Sequence, residues 1–116
     1  MNYSDNELTA LAQNNPKELV RILNNQNANV RTLTFGIETL GMEVEDEAVV
    51  LPAFRVLLKH VNAIVREGTL MGISSFYDKK SPPQDILDRL DFISKNDPST
   101  SLKEDAKYLL EGYLNV

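Results

Sequence analysis

Three sets of side chains in this sequence are candidates for chemistry. His60 is the only histidine, Asp85, Asp88 and Asp91 are spaced by three with Arg89 between them, and Glu43, Glu45, Asp46 and Glu47 form an acidic run. A carboxylate pair working as acid and base needs two unequal environments. Three aspartates one helical turn apart instead describe a solvated helix face. The acidic run offers oxygen atoms to a divalent cation or to a basic partner, yet it lacks the glycine-punctuated spacing of a calcium loop. Acids at the start of a helix complement its dipole, and that is the reading adopted for it. His60 falls at the end of a predicted helix, where positive character is favoured. With one histidine and no cysteine, neither a nucleophile–histidine site with a spare histidine nor a His-rich zinc site can be built. The phosphate loop, the dinucleotide loop and the nucleophile elbow all lack a match. The expectation is a protein with no catalytic residues, metal or cofactor.

Composition narrows the class further. The 116 residues suit a single domain spanning 1–116, and the 42% hydrophobic content is enough for a core. The absence of cysteine excludes disulfides and fits a reducing compartment. The stretch MNYSDNELTA is not a secretory signal. The longest apolar stretch, Ala48 to Phe54, falls far short of the roughly 20 residues of a membrane helix. A cytoplasmic protein with no membrane contact is expected. The formal net charge of −5 argues against general nucleic-acid binding, which uses clustered Lys and Arg to displace counterions.

The elements that would position any site come from a repetition. NANVRTLTFG (27–36) returns 35 residues later as NAIVREGTLMG (62–72), matching Asn27 with Asn62, Ala28 with Ala63, Val30 with Val65, Arg31 with Arg66 and Thr34 with Thr69. Ile22-Leu23 falls on Leu57-Leu58. A fainter copy places LKEDA (102–106) and Phe92-Ile93 at corresponding positions. A period in the thirties marks stacked helical repeats. Val30, Leu33, Thr34, Ile37 and Leu40 recur at helical spacing, with Gly41 expected to end that helix. Val65, Thr69, Ile73 and Phe76 hold the same face in the second unit, and Leu102, Ala106, Leu109, Leu110 and Tyr113 in the third. Asn27, Asn62 and Ser99 are predicted N-caps, with Ser101 and Glu104 an alternative capping box at the last start. The first helices of the units are predicted at 17–23, 48–60 (starting or kinked at Pro52) and 84–94. A short helix at 5–13, with Leu8 and Leu11 inward, precedes them. That makes seven helices and no strand.

VLPAFRVLLKHVNAIVREGTLMGI (50–73) resembles a HEAT repeat, with an L-P-x-x-x-x-L-L first helix, a tight turn and a V-R-x-x-small opening of the second. Residues 16–41 resemble the same unit and 84–114 a degenerate one. The resemblance implies an all-α fold: a short right-handed α-solenoid of about three two-helix HEAT-like repeats plus the N-terminal helix. Armadillo-like or irregular helical repeats share most of these features. Thr34 and Thr69 stand where such repeats have alanine, and Asn27 and Asn62 where they often carry aspartate, so the family's Asp–Arg ladder is not carried over. In such stacks the second helices line a concave binding surface. Arg31, Phe35, Arg66 and Leu70, with Lys103 and Lys107 in the third unit, take equivalent places off the apolar stripe there. Arg31, Phe35, Arg66 and Leu70 are the predicted partner-binding residues, apolar anchors between cations. The functional expectation is a non-catalytic module that binds another protein. A dedicated inhibitor or immunity-type protein blocking a basic enzyme cleft is the alternative, and an enzyme of the lyase or DNA glycosylase type is a third.

Overall fold

The computed structural model describes residues 2–25 and 27–115. Among them it has seven helices and no strand: α1 (Asp5–Asn14), α2 (Pro16–Leu23), α3 (Val30–Glu43), α4 (Glu47–Leu57), α5 (Ala63–Phe76), α6 (Gln84–Asn96) and α7 (Thr100–Leu114). The chain forms two compact units, Met1–Phe76 and Tyr77–Val116.

Local chemistry explains the starts. Ser4 opens α1 with a full capping box: its hydroxyl accepts from the Glu7 N–H, while the Glu7 carboxylate accepts from the Ser4 N–H. Proline at the first position of α2 gives up an N–H that has no helical partner anyway. Asn62 Oδ1 accepts from the Ile64 N–H and Ser99 Oγ from the Leu102 N–H, as expected at two of the three repeat positions. Asn27 is the exception. The Asn25 side chain accepts the Asn27 N–H and the Asn25 carbonyl accepts the Ala28 N–H. That turn delays α3 by two residues, and Asn29 caps it instead through the Thr32 N–H. Ser99, rather than the Ser101–Glu104 pair, caps α7. Helix α4 begins at Glu47, capped by Asp46, and runs through Pro52. Ala48 and Pro52, the pair whose backbone bond the proline removes, are both exposed.

In the first unit, α1 packs on α3, α3 on α5, and α2 and α4 pack on each other and on that row. Arg31 pairs with Asp5 and Glu43 meets Gln13, so α1 and α3 run in the same direction. Thr34 faces Gly68 and Ile37 faces Gly72, so α5 runs parallel to α3. Leu19, Leu23, Leu33, Ile37, Leu40, Phe54 and Leu58 fill the space between the helices. The second unit is the helical hairpin α6–α7, closed over Ile86, Leu90, Ile93, Leu102 and Ala106.

Gly41 corrects a sequence expectation. It does not end α3, which continues to Glu43, and no described glycine adopts a positive φ. A Cβ built on Gly41 would lie 2.2 Å from the Gly72 carbonyl oxygen, so this glycine is small because two backbones meet there. The core expectations need smaller corrections. Val65 and Leu102 are buried but Val30, at the fraying start of α3, is half-buried. Phe76, Leu109, Leu110 and Tyr113 are half-buried too, and in α1 Ala12 rather than Leu11 joins Leu8 inside.

Candidate functional site

The four residues expected to form the partner surface separate in space. Arg31 is exposed, and its guanidinium donates to Asp5 Oδ1 at 2.7 Å. Phe35 is half-buried. Arg66, its relative exposure only 9%, turns back on its own helix start, where Nη1 donates to the carbonyls of His60 (2.8 Å) and Val61 (3.0 Å). Leu70 is 2% exposed and belongs to the core. Arg66 and Leu70 are therefore corrected from surface to interior positions. The reason is the width of the buried arc on α5. The helix packs on α3 along Gly68 and Gly72 and on α4 besides, which buries Val65, Arg66, Gly68, Thr69, Leu70, Gly72 and Ile73 together. In the second unit, Lys103 is half-buried and Lys107 exposed.

What α3 and α5 leave outside is a different set. Phe35, Glu38 and Met42 recur at i, i+3 and i+7 on α3, and Ile64, Glu67 and Met71 repeat that spacing on α5. Met42, Ile64 and Met71 are 67%, 61% and 54% exposed, large values for apolar side chains on adjacent helices. Glu38 is half-buried among them by register, and has no hydrogen bond or ion pair to another described residue. Burial raises its carboxyl above the ordinary glutamate range. The signal for this stripe was present in the sequence as the complement of the core spacing, but the near-identity of Arg31 and Arg66 drew attention to the wrong face.

The remaining candidates resolve into structural roles. The Nδ1 of His60 accepts the Asn62 N–H at 3.0 Å, which ties the ring into the turn before α5. This half-buried ring lines an open cleft of about 270 Å³ with Val56, Lys59 and Val61 at its rim and Leu23, Leu33 and Leu57 beneath. Of the acidic run, Asp46 caps α4, Glu47 lies in its first turn, and all four acids are exposed. Asp88 accepts from Gln84, and Asp91 pairs with Lys95 one turn along α6. Among the described residues no three His, Asp or Glu side chains converge as metal ligands. No described helix is long and apolar enough to cross a membrane. In the YDKKSPP loop Tyr77 and Pro82 are buried, and the Lys80 ammonium lies 5.8 Å from the Tyr77 ring centroid. Residues 78–81 stay exposed.

No family model matches this chain, and no curated protein or solved structure is significantly similar to it. Its function is accordingly argued from its own residues.

Proposed function

We propose that this protein is a non-catalytic protein-binding module, built as a short HEAT-like α-solenoid, that engages its partner through the outer face of α3 and α5. The observation that carries this reading is the exposure of Met42, Ile64 and Met71 on two parallel, tightly joined helices. Apolar side chains gathered on one face, with charged residues between them, describe an interaction surface more than a solvated one. Methionine is well suited to such a surface, because its unbranched, polarizable chain adapts to the shape it meets. The rigid backbone contact beneath the face supplies preorganisation, so binding does not have to order the helices first.

The dedicated-inhibitor version of this reading is favoured by the charge. Arg31 is neutralised by Asp5 and Arg66 is withdrawn into the turn, while Glu38 remains on the face of a chain whose net charge is −5. Such a face suits a basic cleft.

A photo-crosslinking amino acid placed at position 42 or 71, and at Lys17 on α2 as a control, tests the module. Position 42 or 71 is expected to yield one discrete adduct in a lysate of the native cell, and position 17 none. Equal labelling from all three positions, or none from any, overturns the proposal.

A further inference from the structure

The stripe on α3 and α5 also specifies its occupant. Phe35 and Met42 are seven residues apart on α3, as are Ile64 and Met71 on α5. At about 1.5 Å of rise per residue, each pair places two apolar contacts roughly 10 Å apart along parallel axes. A helix lying along the face offers side chains at i and i+7 with the same interval. Between the apolar positions stand Glu38 and Glu67, each three residues after the first apolar residue of its pair. The cations that sequence alone places beside them are not available to balance them. Arg31 is held by Asp5, and Arg66 donates to the carbonyls of His60 and Val61.

We infer that this face binds a basic amphipathic helix of a partner protein, with apolar side chains seated against Phe35, Met42, Ile64 and Met71 and a lysine or arginine reaching Glu38. The inference rests on the protein-binding reading above and adds the chemistry of the partner. Glu38 supplies a second line of argument. A half-buried carboxylate without a partner costs stability in the free protein, and a cation brought in by the occupant relieves that cost. Adding a basic helix therefore completes the face electrostatically as well as covering its apolar atoms.

The test uses the full chain labelled with ¹³C at the methionine methyl groups. The chain has three methionines, two of them on this face. The probes are a synthetic amphipathic helix of leucine and lysine and its leucine–glutamate counterpart. The lysine peptide is expected to move the Met42 and Met71 signals together. The double variant Glu38→Gln/Glu67→Gln is expected to weaken its affinity at least about fivefold, the scale of charge pairs at an interface. A control, Glu45→Gln/Glu111→Gln, removes the same charge from exposed sites elsewhere and is expected to leave affinity within about twofold. Equal weakening by the control reduces the effect to net charge and overturns the inference. Equal binding of the glutamate peptide at the same methyl groups also overturns it, while leaving the protein-binding module intact. Movement of neither methionine by either peptide overturns the inference as well, and the crosslinking experiment then decides the module separately. Glu38→Gln alone is expected to keep or raise the melting temperature, so lost binding is not lost fold.

Discussion

Adding one methyl group at Gly41 tests the packing on which the candidate site depends. The Cβ of Gly41→Ala would stand 2.2 Å from the Gly72 carbonyl oxygen and 2.7 Å from its Cα and carbonyl carbon, whereas real Cβ atoms are essentially never closer than 3.0 Å. Because the obstructing atoms are backbone, no rotamer change relieves the clash, and α3 and α5 must part by about 0.8 Å or more. A gap of about 0.5–1 Å forfeits a quarter to a half of the dispersion energy of each contact it opens. Overpacking of this kind costs about 3 kcal/mol, and the better helix propensity of alanine returns about 1. The expected net loss is about 2 kcal/mol. The same substitution elsewhere calibrates the result. At Gly36 the nearest obstacle is the end of the Leu23 side chain at 2.7 Å, which can move, so Gly36→Ala is expected to be close to neutral. At Gly112 nothing lies within 4 Å, so Gly112→Ala should gain about 0.5–1 kcal/mol. Gly68→Ala and Gly72→Ala fall between Gly36 and Gly41, because Thr34 and Ile37 oppose them partly with backbone. Urea unfolding followed by far-ultraviolet circular dichroism measures the series. Should Gly41→Ala prove as stable as Gly112→Ala, the backbone contact between α3 and α5 does not exist, and the shared outer face goes with it.

Three further outcomes are expected. Arg31→Ala should change stability by less than about 1 kcal/mol, since its ion pair is exposed, whereas Arg66→Ala should cost about 2–3 kcal/mol through two charge-assisted bonds; equal unfolding midpoints would contradict this. Thr34→Val should stabilise by about 1 kcal/mol, because its buried hydroxyl has no partner. Thr69→Val should not stabilise, because the Thr69 hydroxyl donates to the Val65 carbonyl at 2.7 Å; a gain at both positions refutes the distinction. Tyr113 should ionise at about 12 rather than 10.0, raised first by burial and then by Asp78. Its folded value lies above its unfolded one, so its contribution to stability is complete below pH 10.0 and is lost as pH rises through about 12. Ultraviolet titration of tyrosinate checks this, and Asp78→Asn should move the transition down.

Helix number and type were fixed by local signals that act without tertiary context: apolar residues at three- and four-residue spacing, Pro16 at a first turn, and Asn62 and Ser99 before an apolar run. The limits of α3 were less legible. Gly41 has the composition of a helix end, but a glycine serves equally where backbones touch, and only the partner helix distinguishes the two uses. Asn27 and Asn29 are both competent caps, and the Asn25 turn chose between them. Leu70 and Arg66 were misplaced because one helix's periodicity describes a single buried stripe, whereas α5 is covered along two. Arg31 and Arg66 hold the same place in their repeats and end in opposite environments. Which carbonyls or carboxylates a guanidinium finds depends on the turn and neighbour at hand, not on its place in the repeat. By itself, then, the sequence determined an all-helical chain with seven helices and a repeated phrase, since helical periodicity and capping act over a few residues. Tertiary structure decided the charge of the candidate face. That depended on Asp5, 26 residues away, reaching Arg31, and on Gly68 and Gly72 bringing two helices close enough to share one surface.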